Sequence, residues 1–367
     1  MSRDKTLAEA RRVLGICNAC GYCNGFCDLF EAAKHRPRLA DADLAHLANL
    51  CHACRNCLYA CQYAPPHPFG VNVPRGLARM RQQSYVDGAW PRPLAALLEH
   101  SLLAALLVGL GAVGLLVGLV LMSVPAEVLF ARQTGAGAFY RILPWSGMLA
   151  IGVVPLAWSG LAIGIGLRRA WRATRTAAAP VTLRALGMAV RDVLLLRNLS
   201  GGGPGCNDLD ERLSHKRRWL HQTMVLGLLS SFAATVVATY YDHILGWEAP
   251  YPLLSVPVVL GTLGGLGMSL GIAGLLWLKW RGDRDPTAPE ARHADYALLV
   301  LLLSVALTGL ALLAWRDTAA MGLLLTVHLG GVLAFFLLLP YSKLVHAGYR
   351  FIALLIEAME RNERRDG

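Results

Sequence analysis

The sequence predicts an all-α protein, with a small cysteine-rich helical domain at the N-terminus followed by a six-helix transmembrane bundle. Three observations predict it. Six apolar blocks follow residue 93, and each has the roughly 20 residues needed to cross about 30 Å of hydrocarbon at about 1.5 Å per residue. Eight of the nine cysteines lie between residues 17 and 61. The basic residues collect on alternate connecting segments, the pattern of a chain threaded back and forth through a bilayer.

Composition sets the class. Of the 367 residues, 55% are hydrophobic and only 16% charged, with a mean hydropathy of +0.44. A soluble domain is nearer about 25% charged. The start, MSRDKTLAEARRVLG, is polar and lacks the apolar core of a secretory signal. The N-terminal domain is therefore expected to stay in the cytoplasm. A net charge of +11 raises the question of nucleic acid. Here the basic residues sit in loops beside apolar blocks, and membrane topology accounts for them.

Residues 1–93 are polar and cysteine-rich. The expected spans are 94–122, 145–167, 219–241, 253–278, 296–315 and 320–342, followed by a tail over 343–367. The fifth and sixth are separated only by Arg316, Asp317, Thr318 and Ala319, a tight turn between antiparallel helices. With the N-terminus inside, the inner segments 1–93, 168–218, 279–295 and 343–367 hold 12, 11, 4 and 5 basic residues. The outer loops hold only Arg132, Arg141 and Arg316. A division of 32 to 3 puts both termini on the cytoplasmic side of a multi-pass inner-membrane protein and requires an even number of spans.

The inner segment 168–218 interleaves arginines with apolar residues up to Arg197 and then runs SGGGPGC. An amphipathic helix lying in the interface is expected. The glycine run lacks the GK[ST] and the preceding strand of a phosphate loop, so it reads as a flexible turn. Cys206 within it reads as a free thiol.

The eight clustered cysteines form two runs, Cys17-x2-Cys20-x2-Cys23-x3-Cys27 and Cys51-x2-Cys54-x2-Cys57-x3-Cys61. This is the spacing that holds [4Fe–4S] clusters, in which the fourth cysteine of each run ligates the other cluster. Cys17, Cys20, Cys23 and Cys61 are therefore assigned to one cluster, and Cys51, Cys54, Cys57 and Cys27 to the second. The proline that often follows the fourth cysteine is replaced by Asp28 and Gln62. Between the runs, Leu39, Leu44, Leu47 and Leu50 fall at helical spacing, which points to an α-helical ferredoxin-like domain. Structural zinc uses two ligand pairs separated by a spacer, and two consecutive four-cysteine runs do not fit that. His35, His46 and His52 read as surface histidines.

Histidine within a bilayer is costly and is a functional candidate by default. His221 and His243 flank the third span, and His328 and His346 the sixth. His100 has no evident partner. Because these two spans run antiparallel, His221 and His346 share the inner side and His243 and His328 the outer side. The separations are 22 and 18 residues, about 33 and 27 Å along a helix. Facing histidines on two helices suit b-type haem. The inner pair is placed to receive electrons from the clusters, and the outer pair to hold a second haem or to help form a quinone pocket.

At this point the segments RRWLHQTMVLG, GWEAPYPLLSVPVVLGTLGG and TGLALLAWRDTAAMGLLLTVHLGGVLAFFLLLPYSKLVH, behind the double cysteine run, add a resemblance. The chain resembles the tricarballylate utilization protein B (CitB) family over about residues 12–360. Its last span is also similar to the haem-bearing gamma subunit of respiratory nitrate reductase, where two haem ligands have the spacing of His328 and His346. In that subunit a second histidine follows the position of His221 by ten residues. Ser231 stands there in this chain, which leaves His328 without that partner unless His243 replaces it.

The resemblance implies a protein that reoxidises the FADH2 of a separate FAD-containing tricarballylate dehydrogenase and passes electrons through two [4Fe–4S] clusters and haem b to the quinone pool. It would then be the electron-transfer subunit of a quinone-reducing oxidoreductase. No strand-borne GxGxxG is present in the chain, in keeping with a flavin on a partner. Two other readings stand beside this one. The partner is another FAD-dependent oxidoreductase, such as one of the cobalamin pathway, or the chain is a redox-sensing transporter. The second lacks the acid or lysine in mid-span that coupled transport uses.

Overall fold

The computed structural model describes residues 3–175 and 180–366, with side chains through residue 364. It is all-α. The N-terminal domain comprises α1 (Arg3–Cys20), α2 (Asp28–Ala33), α3 (Asp41–Leu50), α4 (Asn56–Tyr59) and α5 (Val73–Gly88). Behind it come α6 (Ala96–Glu99), α7 (Ser101–Ser123), α8 (Ala126–Leu129), α9 (Trp145–Thr174), α10 (Leu183–Leu194), α11 (Lys216–His243), α12 (Val256–Arg281), α13 (Pro289–Trp315), α14 (Met321–Leu338) and α15 (His346–Asp366). Among the described residues the only β-structure is a two-residue ribbon, β1 (Cys206–Asn207) with β2 (Leu213–Ser214).

Six helices are long and apolar enough to cross a membrane: Ser101–Ser123, Trp145–Thr174, Lys216–His243, Val256–Arg281, Pro289–Trp315 and Met321–Tyr341. Their outward faces carry exposed Leu107, Leu110, Leu119, Met122, Leu229 and Leu270. Such a girdle is stable only where hydrocarbon covers it. Without a hydrophobic drive between helices, packing depends on close approach of small residues. A methyl on Gly227 of α11 would sit 2.5 Å from the Met268 nitrogen, and one on Gly264 of α12 would sit 2.7 Å from the Ser231 nitrogen. These glycines let α11 and α12 lie backbone to backbone.

The core of the N-terminal domain is built from both ends of the chain. Leu14, Leu29, Leu44, Leu47 and Leu77 are buried together with Ala353, Leu354, Ala358 and Met359 of α15 and with Ala185 and Ala189 of α10. The segment expected as a tail is thus a helix whose apolar face completes the N-terminal core. Arg36 fastens the joint, with Nε 3.2 Å from Asp43 and Nη2 2.5 Å from Glu360. The expected interfacial helix is α10, with exposed Leu183, Leu186, Val190 and Leu194. His35 is exposed as expected, but His46 is not. It is 1% exposed, because it stands one residue before Leu47 and is carried inward with that face of α3. His52 is half-buried, with Nδ1 2.7 Å from the Leu50 carbonyl.

Candidate functional site: two cysteine cavities and a histidine pair

The loop that carries each cysteine run must curl tightly enough for three side chains to point to one centre. Left-handed residues provide the curl. In the first run they are glycines, Gly21 (φ +68°) and Gly25 (φ +89°), which adopt this region at no steric cost. In the second run they are Ala53 (φ +51°) and Arg55 (φ +72°), which stay there only because the surroundings hold them. Two arginines supply that hold. Arg217 donates to the carbonyls of Ala53 (2.9 Å) and His52 (3.0 Å), and Arg81 donates to the carbonyl of Cys51 (2.9 Å).

The cysteines surround two separate cavities. One is lined by Cys17, Cys20, Cys23 and Cys61, and the other by Cys27, Cys51, Cys54 and Cys57. In each, three cysteines of one run meet the fourth of the other. Among the described residues no three His, Cys, Asp or Glu side chains converge closely enough for a single metal ion. Two sets of four cysteines, each three from one run and one from the other, suit cubanes better than zinc. Burial, with the neighbouring Cys23, Cys61 and Cys20, pushes the Cys17 thiol up to about 12. Burial and Cys51 push Cys27 up to about 12. Thiols must lose their protons to ligate a metal, so ligation here would release protons. Burial raises the Cys57 thiol as well, with contributions from Cys51 and Cys27 of its own set and from Cys23 and Cys17 of the other. The two cavities are therefore neighbours.

On the membrane side, His221 of α11 and His346 at the start of α15 face each other, with ring centroids 6.2 Å apart and planes at 88°. His346 Nδ1 lies 2.6 Å from the Lys343 carbonyl. That contact fixes Nδ1–H as donor and leaves Nε2 as the free ligating nitrogen. The cavity beside the pair is strongly cationic, with Arg81, Arg217, Lys279, Lys343 and Arg350 against Asp208 and Asp295. Asp295 bridges Lys279 and Lys343. Arg350 Nη2 donates to the Cys51 carbonyl at 3.1 Å, while its Nε and Nη1 are buried without a protein partner. Unused buried donors beside two facing histidines fit the carboxylates of a haem edge.

The other histidines are not brought together in this way. His243 is exposed and packs edge-on against Trp145, with centroids 4.2 Å apart. His328 lies in a different place, in a cavity of about 320 Å³ between α11, α12, α13 and α14 that Ser231, Thr262 and Phe335 also line. Its Nδ1 lies 3.1 Å from the Thr308 hydroxyl, which also lies 2.8 Å from the Ser304 carbonyl. His100 is exposed where α7 begins.

Read from sequence, Lys343 and Arg350 are candidate contacts for a haem carboxylate or a quinone oxygen, with simple interface anchors the favoured reading. They stand three residues before and four after His346 and line the cavity beside it. Cys206 is a free thiol, as expected. It is buried, donates to the Leu199 carbonyl (3.1 Å), accepts from Arg217 Nη2 (3.3 Å) and lies beside Cys54.

Comparison with known proteins follows the same division of the chain. Residues 10–87 match the citrate utilization protein B Fer4-like domain, and residues 97–367 match citrate utilization protein B. A curated citrate utilization protein B from Escherichia coli is 43% identical over 365 residues, covering 96% of this chain and 92% of that protein. No solved structure matches. A Fer4-like domain ahead of six membrane-length helices is consistent with an iron–sulfur electron-transfer role at a membrane, and the chain belongs to the citrate utilization protein B family.

Proposed function

We propose that the chain is a membrane electron relay that accepts electrons from the reduced flavin of a partner FAD-containing dehydrogenase and delivers them to quinone. The observation that carries this reading is a line of three sites. The solvent-facing cysteine cavity adjoins the buried one. Arg350 touches the Cys51 carbonyl of the buried cavity and stands one helical turn from His346. Bound [4Fe–4S] clusters and haem b would supply the one-electron chemistry.

Each residue has a stated role. Cys17, Cys20, Cys23 and Cys61 hold the outer cluster, where exposed Cys20 and Tyr22 leave room for a partner to dock. Cys27, Cys51, Cys54 and Cys57 hold the inner one. His221 and His346 hold one haem, and Lys343 and Arg350 face its carboxylates. His328 offers a hydrogen-bonding nitrogen in a largely apolar cavity that Ser231 and Thr262 also line, which suits a quinone headgroup. The termini lie on the cytoplasmic side of the inner membrane. The family resemblance favours a dehydrogenase that oxidises tricarballylate to cis-aconitate. Another FAD-dependent oxidoreductase remains the second reading for the partner.

The test is a dithionite-reduced minus oxidised spectrum of purified protein. A b-type spectrum that disappears in H346A supports the reading. A preparation with clusters and no b-type bands would remove the membrane half of the relay.

A further inference from the structure

The two cysteine cavities differ sharply in electrostatic environment. The outer one is lined by Ile16, Tyr22, Ala60, Gln62, Tyr63 and Val71 besides its cysteines, and no cationic side chain is among them. The inner one is collared by arginines. Arg81 and Arg350 both donate to the Cys51 carbonyl, at 2.9 and 3.1 Å, and Arg217 donates to the Ala53 and His52 carbonyls at 2.9 and 3.0 Å. Asp208 lies 3.6 Å from Arg217 Nε and offsets part of its charge. Among the described residues no carboxylate forms an ion pair with Arg81 or Arg350.

The loop between the second and third spans closes this collar. Asn56 Nδ2 donates to the carbonyls of Gly201 (3.2 Å) and Gly205 (2.9 Å), and the Asn207 N–H donates to the Cys54 carbonyl at 3.0 Å. Gly202 (φ +82°) lies so close that a methyl there would stand 2.0 Å from the Phe26 carbonyl oxygen. The glycine run is therefore a fitted lid over the inner cavity. It delivers Cys206 to Cys54, and Arg217 Nη2 reaches Cys206 at 3.3 Å.

We infer that the arginines Arg81, Arg217 and Arg350 set the reduction potential of the inner cluster above that of the outer one, so that transfer between them runs toward the membrane. This rests on the reading that each cavity holds a [4Fe–4S] cluster. Cluster potentials follow net charge, hydrogen bonds to sulfur and solvent exposure; the arginine collar raises the inner potential and outweighs the burial that works against it. An electron added to the inner cluster is stabilised by the fixed positive charge of the collar. No comparable group lines the outer cavity. These are positioning and tuning residues, and none is a ligand.

The experiment is an EPR-monitored redox titration of the full-length protein in detergent, with iron counted on each sample. Wild type is expected to show two cluster waves, and C20S to keep only the higher one. In R217Q and R350Q the higher wave should fall by at least tenfold in the reduction equilibrium, about 59 mV for one electron, with the lower wave in place. R217K and R350K, which keep the charge, should fall less than the glutamine variants. A higher wave that does not move in R217Q and R350Q overturns the inference. So does loss of about half the iron in both glutamine variants, which would make these arginines purely structural. A wild-type protein without clusters would instead overturn the relay reading on which the inference stands.

Discussion

His221 and His346 meet with their ring centroids 6.2 Å apart and their planes at 88°. The gap is the size of one bound iron. A haem iron about 2 Å from each nitrogen, with each nitrogen about 1 Å from its ring centre, asks for about 6 Å. The same separation is within the roughly 4.5–7 Å of ordinary edge-to-face packing, so the proposed haem rests also on the free His346 Nε2 and the buried Arg350 donors. Alanine at either position should remove most b-type absorbance while leaving the cluster iron in place. Alanine at His243, which packs on Trp145 instead, should leave the haem spectrum unchanged. A full haem spectrum in both H221A and H346A would move the haem elsewhere.

The crossed cysteine sets make an unusual prediction for the fourth cysteine of each run. C61S should perturb the cluster of the first run, and C27S that of the second. Each variant should lose up to about four of about eight non-haem irons, read by iron and acid-labile sulfide analysis. EPR then distinguishes the pattern. If C61S and C54S perturb the same signal, the ligands are not crossed.

Two glycines test the packing. Gly264→Leu puts side-chain atoms where a Cβ already falls 2.7 Å from the Ser231 nitrogen and 2.8 Å from the Gly227 carbonyl. Overpacking of this kind costs about 1–3 kcal/mol, so the thermal midpoint in detergent should fall with the cofactors still bound. Gly202→Ala strains a left-handed position against Phe26 and lifts the lid. Its measurable result is faster bleaching of the inner cluster in air.

His46 predicts an acid sensitivity in the N-terminal domain. Burial, helped by Arg36, lowers its folded value from 6.5 to about 3, and neither ring nitrogen has a partner. Between about pH 3 and about 6.5 the unfolded chain binds the proton that the folded chain refuses, so stability falls as pH drops through that window. His46→Leu keeps a side chain of suitable size and removes the proton. The difference in thermal midpoint between the variant and the parent should grow in favour of the variant from pH 7 to pH 5. A constant difference would contradict it.

Much of this was legible in the sequence because it is local. Cysteine spacing is set within a dozen residues, and span length follows directly from apolar run length. The pairing of His221 with His346 followed from helix rise and antiparallel threading alone. What the sequence hid is what joins distant segments. Residues 343–367 read only as a tail, because nothing local says that Ala353, Leu354 and Met359 complete the core of residues 3–88. Cys206 gave no sign that it would meet Cys54, because the contact depends on how the glycine run folds over Asn56 and Phe26. His46 looked like a surface residue because a polar type was weighed above its place beside Leu47. His243 and His328 share a side of the membrane by counting, yet one packs on Trp145 and the other turns into a cavity among four helices.

The most direct test of the relay is a count of non-haem iron, acid-labile sulfide and haem on one anaerobic sample of the full-length protein. The account predicts about eight irons, about eight sulfides and one haem per chain. Fewer than about four irons would contradict it, because two cavities of four cysteines would then not be holding two cubanes.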